Sequence, residues 1–351
     1  MPEFSEAEKQ LLIGIRSIVL RKETPEKSLL EDFGKRFFDD ELVDWTVAYE
    51  SLMAKGYLHF DSGQYSLSDE AAKLAAGFHK KKMSSGFDEW MIKSYDSKTY
   101  SRFCDLVYGI DLCQFSMVDR EQLVKLKEVL ELTPANRVLD LGCGAGRITE
   151  YLSDSTGAKI TGVDFAEGVI DRANKRTAMK RDRLSFRVCD MNALDFPPNS
   201  FDTIIAIDTL YFVDDLDMTI EAMKRVIGSA GQMGVFYSQT IKPDESRELL
   251  NADSTKLAKA LHNCGLSYRT WCFTENEYEI WCKQKKVAEE LKADFESEGY
   301  LHLYESRIKE AEHLLEIIKE KRENRYLYHI RRLKAEPQTD THKYVRRRGK
   351  R

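Results

Sequence analysis

The sequence has no segment able to span a bilayer: the longest early apolar run, residues 11–20, is about half the required length and is broken by Arg16. It has no CxxC pair. Its seven cysteines, at 104, 113, 143, 189, 264, 272 and 282, are odd in number and scattered, which argues against a disulfide framework or a zinc site and for a reduced, cytoplasmic protein. The seven histidines form no HxxxH pair, so no metal is expected. Basic excess is also missing. Lys and Arg number 54 against 59 Asp and Glu, a net charge of -5, which disfavours a nucleic-acid partner. The opening residues MPEFSEAEKQ are acidic rather than basic, unlike a secretory leader. Internal repeats and low-complexity stretches are absent as well.

What is present is ample core material. The chain has 351 residues, 42% hydrophobic and 32% charged, enough for two domains. Residues 1–78 read as a small helical unit ending in a hairpin. Residues 7–20 have apolar spacing of helical period. Asp39, Asp40 and Glu41 open a second helical segment with acids where the helix dipole favours them, and Leu42, Val43, Val47, Leu52 and Met53 form its apolar side. Two short strands follow, around a turn at Asp61-Ser62-Gly63. Residues 79–134 read as a helical connector rich in aromatics, set off by the polar group at 79–86.

Residues 135–334 alternate strands with helices. The strands expected at 137–141, 159–164, 184–190, 203–208 and 232–238 are short and rich in β-branched residues, which predicts a parallel sheet flanked by helices. Further strands at 267–273 and 325–330 enclose a charged helical insert, 274–324. Residues 335–351 form a polar basic tail, read as a solvated end.

The strongest motif is Val138-Leu139-Asp140-Leu141-Gly142-Cys143-Gly144-Ala145-Gly146. A buried strand enters a glycine turn whose backbone a ligand can approach closely, and the helix after it offers free N–H groups. Arg147 stands where a dinucleotide motif needs a small residue. Asp164 ends the next strand, where a carboxylate can accept hydrogen bonds from both ribose hydroxyls.

With these residues the chain resembles the class I S-adenosylmethionine-dependent methyltransferases over residues 85–332. The glycine turn, including Asp140, Gly142, Cys143 and Gly144, is similar to the motif around the methionine part of the cofactor. Asp164 and Phe165 resemble the ribose-binding acidic motif. Asp190 and Met191 resemble the segment that meets adenine, although Asp190 also reads as a helix N-cap. Asp208 and Tyr211 resemble the motif between cofactor and substrate. The resemblance implies a Rossmann-like seven-stranded α/β sheet with its last strand antiparallel. It also implies S-adenosyl-L-methionine as cofactor and in-line methyl transfer to N, O, S or C of an acceptor. The N-terminal unit resembles a winged-helix domain, used in some such enzymes for dimer contacts or as a pocket wall.

Tyr95 and Tyr100 have two readings, a lid over the cofactor or packing of the connector. Asp208, Tyr211 and Tyr237 are the catalytic candidates, and Ser238 lies beside them at the sheet's C-terminal rim. Trp271, Phe273 and Tyr278 read as pocket-lining apolar residues. Glu275, Glu277 and Glu279 read as a solvated turn, or as a site for an amine. The expected substrate is a small molecule in a pocket walled by the connector and the insert. The alternative is a nucleic-acid methyltransferase or DNA-binding regulator. It is disfavoured by the ten basic against fifteen acidic residues in 1–80, and by the absence of a proline motif after Asp208.

Overall fold

The computed structural model describes residues 3–20, 23–38 and 44–332. The acidic helix start at 39–41 and the tail at 335–351 lie outside them. The N-terminal unit holds α1 (Glu6–Leu20), α2 (Lys27–Phe37), α3 (Thr46–Ala54) and the hairpin β1 (Leu58–Asp61) and β2 (Gln64–Leu67). Its core joins Leu11, Leu12 and Ile15 of α1 to Leu30, Trp45, Leu52 and Tyr65. The hairpin turns at Ser62 and Gly63, both with positive φ, the geometry that matches strand twist in a two-residue turn. On α3 the buried side is Ala48, Tyr49 and Leu52, while Val47 and Met53 are exposed, contrary to the apolar face expected from spacing. At 3.6 residues per turn Val47 stands about 140° around the helix from Leu52, so the two do not share a buried face.

The break expected at 79–86 is absent. One helix, α4 (Asp69–Asp96), runs from the hairpin into the connector, capped by Ser68 Oγ on the Ala71 amide. Connector helices α5 (Lys98–Tyr108) and α6 (Arg120–Leu130) follow.

The remainder forms one seven-stranded sheet. Its elements in chain order are β3 (Arg137–Leu141), α7 (Arg147–Thr156), β4 (Lys159–Asp164), α8 (Glu167–Arg176), β5 (Leu184–Val188), β6 (Phe201–Ile207), α9 (Leu216–Val226), β7 (Ile227–Thr240), α10 (Lys256–Asn263) and β8 (Leu266–Cys272). The insert helices α11 (Thr274–Glu290), α12 (Lys292–Ser297) and α13 (Leu301–Lys319) precede β9 (Glu323–Arg332). The spatial order is β5-β4-β3-β6-β7-β9-β8. Strands β3 to β7 are parallel, and β9 is antiparallel to both of its neighbours, as expected for the last strand. Chain progression reverses between β3 and β6, so the C-terminal ends of these strands form the crevice where open α/β sheets bind ligands. Apolar side chains of both sheet faces are covered, by α9 and α10 on one side and α6, α7 and α8 on the other. The insert packs through Trp281, Val287, Phe295 and Leu303 on Tyr100, Phe103 and Tyr108 of the connector.

Candidate functional site

The glycine turn leaves β3 at the switch point. Gly142, Gly144 and Gly146 have φ of 67°, 52° and 70°, a region that side chains rarely adopt. A Cβ on Gly142 would lie 2.0 Å from Thr209 Oγ1, and one on Gly146 would lie 2.2 Å from the Phe186 ring. Gly144 has room for a Cβ, which would touch Phe87 and Met91 of α4 at 3.9 Å. The Cys143 amide bonds the Val163 carbonyl at 3.0 Å, tying the turn to β4.

Two buried acids hold this loop. Asp140 Oδ2 accepts from Thr149 Oγ1 at 2.6 Å, clamping the strand end to α7. Burial pushes its pKa up to about 7, with the Thr149 bond opposing and the nearby Asp164 charge adding to the rise. Asp164 spans two loops, accepting from the Gly144 amide and the Ala166 amide, each at 3.0 Å. Burial raises its pKa against these backbone bonds. Phe165 stacks on Phe87 at 6.4 Å. Asp190 caps the turn at Met191–Ala193 through the Asn192 amide and also pairs with Lys80 of α4 at 2.9 Å. Met191 is buried, its sulfur 3.3 Å from Thr209 Oγ1. A cleft of about 430 Å³ lies between α4 and the loop after β4, with Lys80, Asp88 and Phe165 on its walls.

Helix α4 was legible only as aromatic density. Asp88 accepts from the Gly168 and Val169 amides at 3.2 and 2.9 Å, capping α8 from outside. Tyr95 lies under the Arg147 guanidinium, 4.9 Å from ring to Cζ, beside the glycine turn. Tyr100 does not share this position. It is fully buried among Trp90 and Phe103, with its hydroxyl donating to the Gln114 carbonyl, so it packs the connector.

At the end of β6 stands a network that spacing did not reveal. Asp208 has φ of 53°, unusual for a non-glycine residue. Its carboxylate takes a two-pronged bond from Arg325, at 2.5 and 2.9 Å, and a third from the Met117 amide at 3.0 Å. Tyr211 donates to Asp208 at 3.3 Å, accepts from the Ser238 amide at 2.5 Å and packs on Tyr237 at 5.0 Å. Burial raises the pKa of both phenols, Tyr237 to about 12, so they are neutral donors at pH 7. Arg325 is itself buried, and its Nε reaches Gln122 Oε1 at 3.0 Å. Asp208 is thereby an occupied anchor rather than a free base. An arginine directly before the apolar run Tyr326-Leu327-Tyr328 was the available signal.

Glu277 corrects the reading of the acidic turn. Glu275 and Glu279 are exposed on α11, but Glu277 is buried, accepts from Ser238 Oγ at 3.1 Å and sits 3.8 Å from Arg325. Burial lifts its pKa above the usual carboxylate range. Trp271 and Phe273 lie beneath α6 in the sheet's core rather than in a pocket, with Lys125 over Trp271 at 5.4 Å. Tyr278 is exposed.

Residues 138–231 match the family described as "Methyltransferase domain". This stretch is similar to a methyltransferase domain. It runs from the glycine turn through Asp164, Asp190 and Asp208 into β7. A methyltransferase from Streptomyces halstedii, GfsG, is 31% identical over 113 residues, 32% of this chain and 41% of its own. A wheat (Triticum aestivum) phosphoethanolamine N-methyltransferase is 25% identical over 48% of this chain and 36% of its own. The chain thus spans well under two thirds of the length of these curated relatives. Haemonchus contortus phosphoethanolamine N-methyltransferase 2, solved with S-adenosyl-L-methionine, shares the fold. It has a TM-score of 0.58 at 18% identity, over 70% of this chain and 60% of that one. The seven-stranded sheet is thus a fold shared with that neighbour.

Proposed function

We propose that the chain is an S-adenosyl-L-methionine-dependent methyltransferase acting on a small-molecule acceptor. One observation carries this reading: within the matched domain, a glycine turn beside the sheet's switch point is bonded through its Gly144 amide to a buried acid, Asp164. The residues fit the cofactor. Gly144 leaves its backbone open to a ligand under Phe87 and Met91. Asp164 presents a carboxylate to ribose hydroxyls, and Asp190 with Met191 and Phe165 borders the adenine end. Bound there, S-adenosyl-L-methionine supplies a methyl group activated on a sulfonium.

The chain's own residues then orient and enclose. Helix α4 covers the turn through Phe87 and Met91, keeping water from the transfer. Asp208, Tyr211 and Tyr237 wall the acceptor side, with Arg325 fixing Asp208 so that its geometry is set before the acceptor arrives. The N-terminal unit, winged-helix-like in its helices and hairpin, is a wall of this cleft. Its Arg16 grips Asp214, two residues past Phe212, at 2.7 Å.

The test is calorimetric. Asp164→Ala should weaken S-adenosyl-L-methionine binding by about 1.5–3 kcal/mol, the scale of lost hydrogen bonds to a charged group. Unchanged affinity in a folded Asp164→Ala protein would overturn the ribose assignment.

A further inference from the structure

Among the described residues, several buried donors lacking an acceptor belong to α13 of the insert, α4 and the loop before α6. Arg307 is 1% exposed, and its Nε and Nη1 have no hydrogen-bond partner. Trp90 Nε1 and Ser116 Oγ, also buried, have none either. Trp90 and Phe115 form the cage: their rings lie 4.9 and 5.3 Å from Arg307 Cζ and meet edge-on at 4.9 Å. Ser116 adjoins Phe115 in the chain. Glu310, on the next turn of α13, pairs with Nη2 at 2.8 Å through an Oε2 that is itself buried, although 36% of its side chain is exposed. The neighbouring phenols of Tyr100 and Tyr108 are kept neutral by burial.

A buried guanidinium with two unmatched edges is costly, and so is each unmatched hydroxyl or indole N–H. These groups are donors, and the fork of an arginine fits a carboxylate or phosphate in two-pronged fashion. The place is also close to the chemistry. Phe87, Trp90 and Met91 share one face of α4, and Phe87 and Met91 lie over Gly144. Phe87 meets Phe115 at 5.5 Å. Two residues further along that loop, the Met117 amide bonds Asp208. Arg307 is thus two layers of side chains beyond the glycine turn, on the side walled by the insert.

We propose that Arg307, with Trp90 and Ser116, binds an anionic group of the methyl acceptor, a carboxylate or a phosphate. The acceptor's far end is thereby anchored while its nucleophile points back past Phe87 toward Gly144. This rests on reading the chain as a methyltransferase.

The experiment uses the full chain saturated with S-adenosyl-L-homocysteine, whose binding is measured first. Inorganic phosphate and acetate are then titrated separately at constant ionic strength against chloride, with tryptophan fluorescence and thermal shift as readouts. A saturable response is expected, at least tenfold weaker in Arg307→Gln and reduced in Ser116→Ala. A response to phosphate alone supports phosphate-bearing acceptors, and one to acetate alone supports carboxylates. If Arg307→Gln fails to fold, Arg307→Lys, which keeps the charge without the fork, should respond more weakly than the native protein. No saturable response to either anion, or an undiminished one in the Arg307 variant and in Ser116→Ala, overturns the proposal while leaving intact homocysteine-nucleoside binding to support the methyltransferase reading. Absence of S-adenosyl-L-homocysteine binding overturns both.

Discussion

Asp140 shows how one residue's surroundings change its task. It carries the motif's acid, yet its carboxylate is turned onto Thr149, inside the protein, and serves the shape of the turn. Burial lifts its pKa to about 7, from about 4 in an unfolded chain. The native state therefore holds the proton more tightly than the unfolded state. The stability linked to that proton is fully present below about pH 4 and is lost as pH rises through about 7. Asparagine keeps an acceptor for Thr149 and cannot ionise. Asp140→Asn should thus gain on the native protein by roughly 1–3 kcal/mol between pH 5 and pH 8, read from urea unfolding at both values. A constant difference across that range would show that Asp140 does not titrate there. Arg325 is the complementary case, a cation among Asp208, Glu277 and Glu323: burial, with the neighbouring acids adding to it, pushes the pKa of both glutamates upward, and Arg325 opposes the rise.

Strands were the most legible elements, and helix α4 was the least. The strands 137–141 and 159–164 coincide with β3 and β4, because an apolar run bounded by turn residues is a local signal. The polar stretch 79–86 reads locally as a break, and a glycine inside a helix costs about 1 kcal/mol. What keeps α4 continuous is distant in sequence: Lys80 on Asp190, Phe87 and Met91 over Gly144, and Asp88 on the first turn of α8. The same distance hid the site's second half. Asp208 and Arg325 lie 117 residues apart, and nothing near either announces the pair. The α8 cap makes the dependence testable. Ala166, at the N-cap position, supplies no side-chain acceptor, so Asp88 provides the one in view. Asp88→Ala should cost about 0.5–2 kcal/mol of stability and speed amide exchange at Gly168 and Val169. Unaltered exchange at those two amides would mean that the cap is satisfied in another way.

For the whole molecule, the question is what the N-terminal unit is for. Helices followed by a hairpin suggest a reader of DNA, and shape alone does not separate that role from a wall of the cleft. Charge and placement do. A groove-reading unit draws its affinity from Lys and Arg at the phosphates, usually on its last helix and its wing. Here α3 and both hairpin strands contain neither residue, and α3 exposes Glu50. Lys55, at the end of α3, is paired with the buried Glu8. Arg16 of α1 is spent on Asp214 beside the acceptor side of the cleft, and Lys80 on Asp190 beside its adenine side. Arg16 and Lys80 are thus engaged with acids at the rim of the sheet. A mobility-shift experiment with random-sequence duplex DNA at about 50 mM salt, where electrostatic binding is strongest, should show no complex at micromolar protein. Retention that weakens steeply with added salt would mean that a basic surface is in play, and would favour the N-terminal unit as a reader of DNA over the proposed wall.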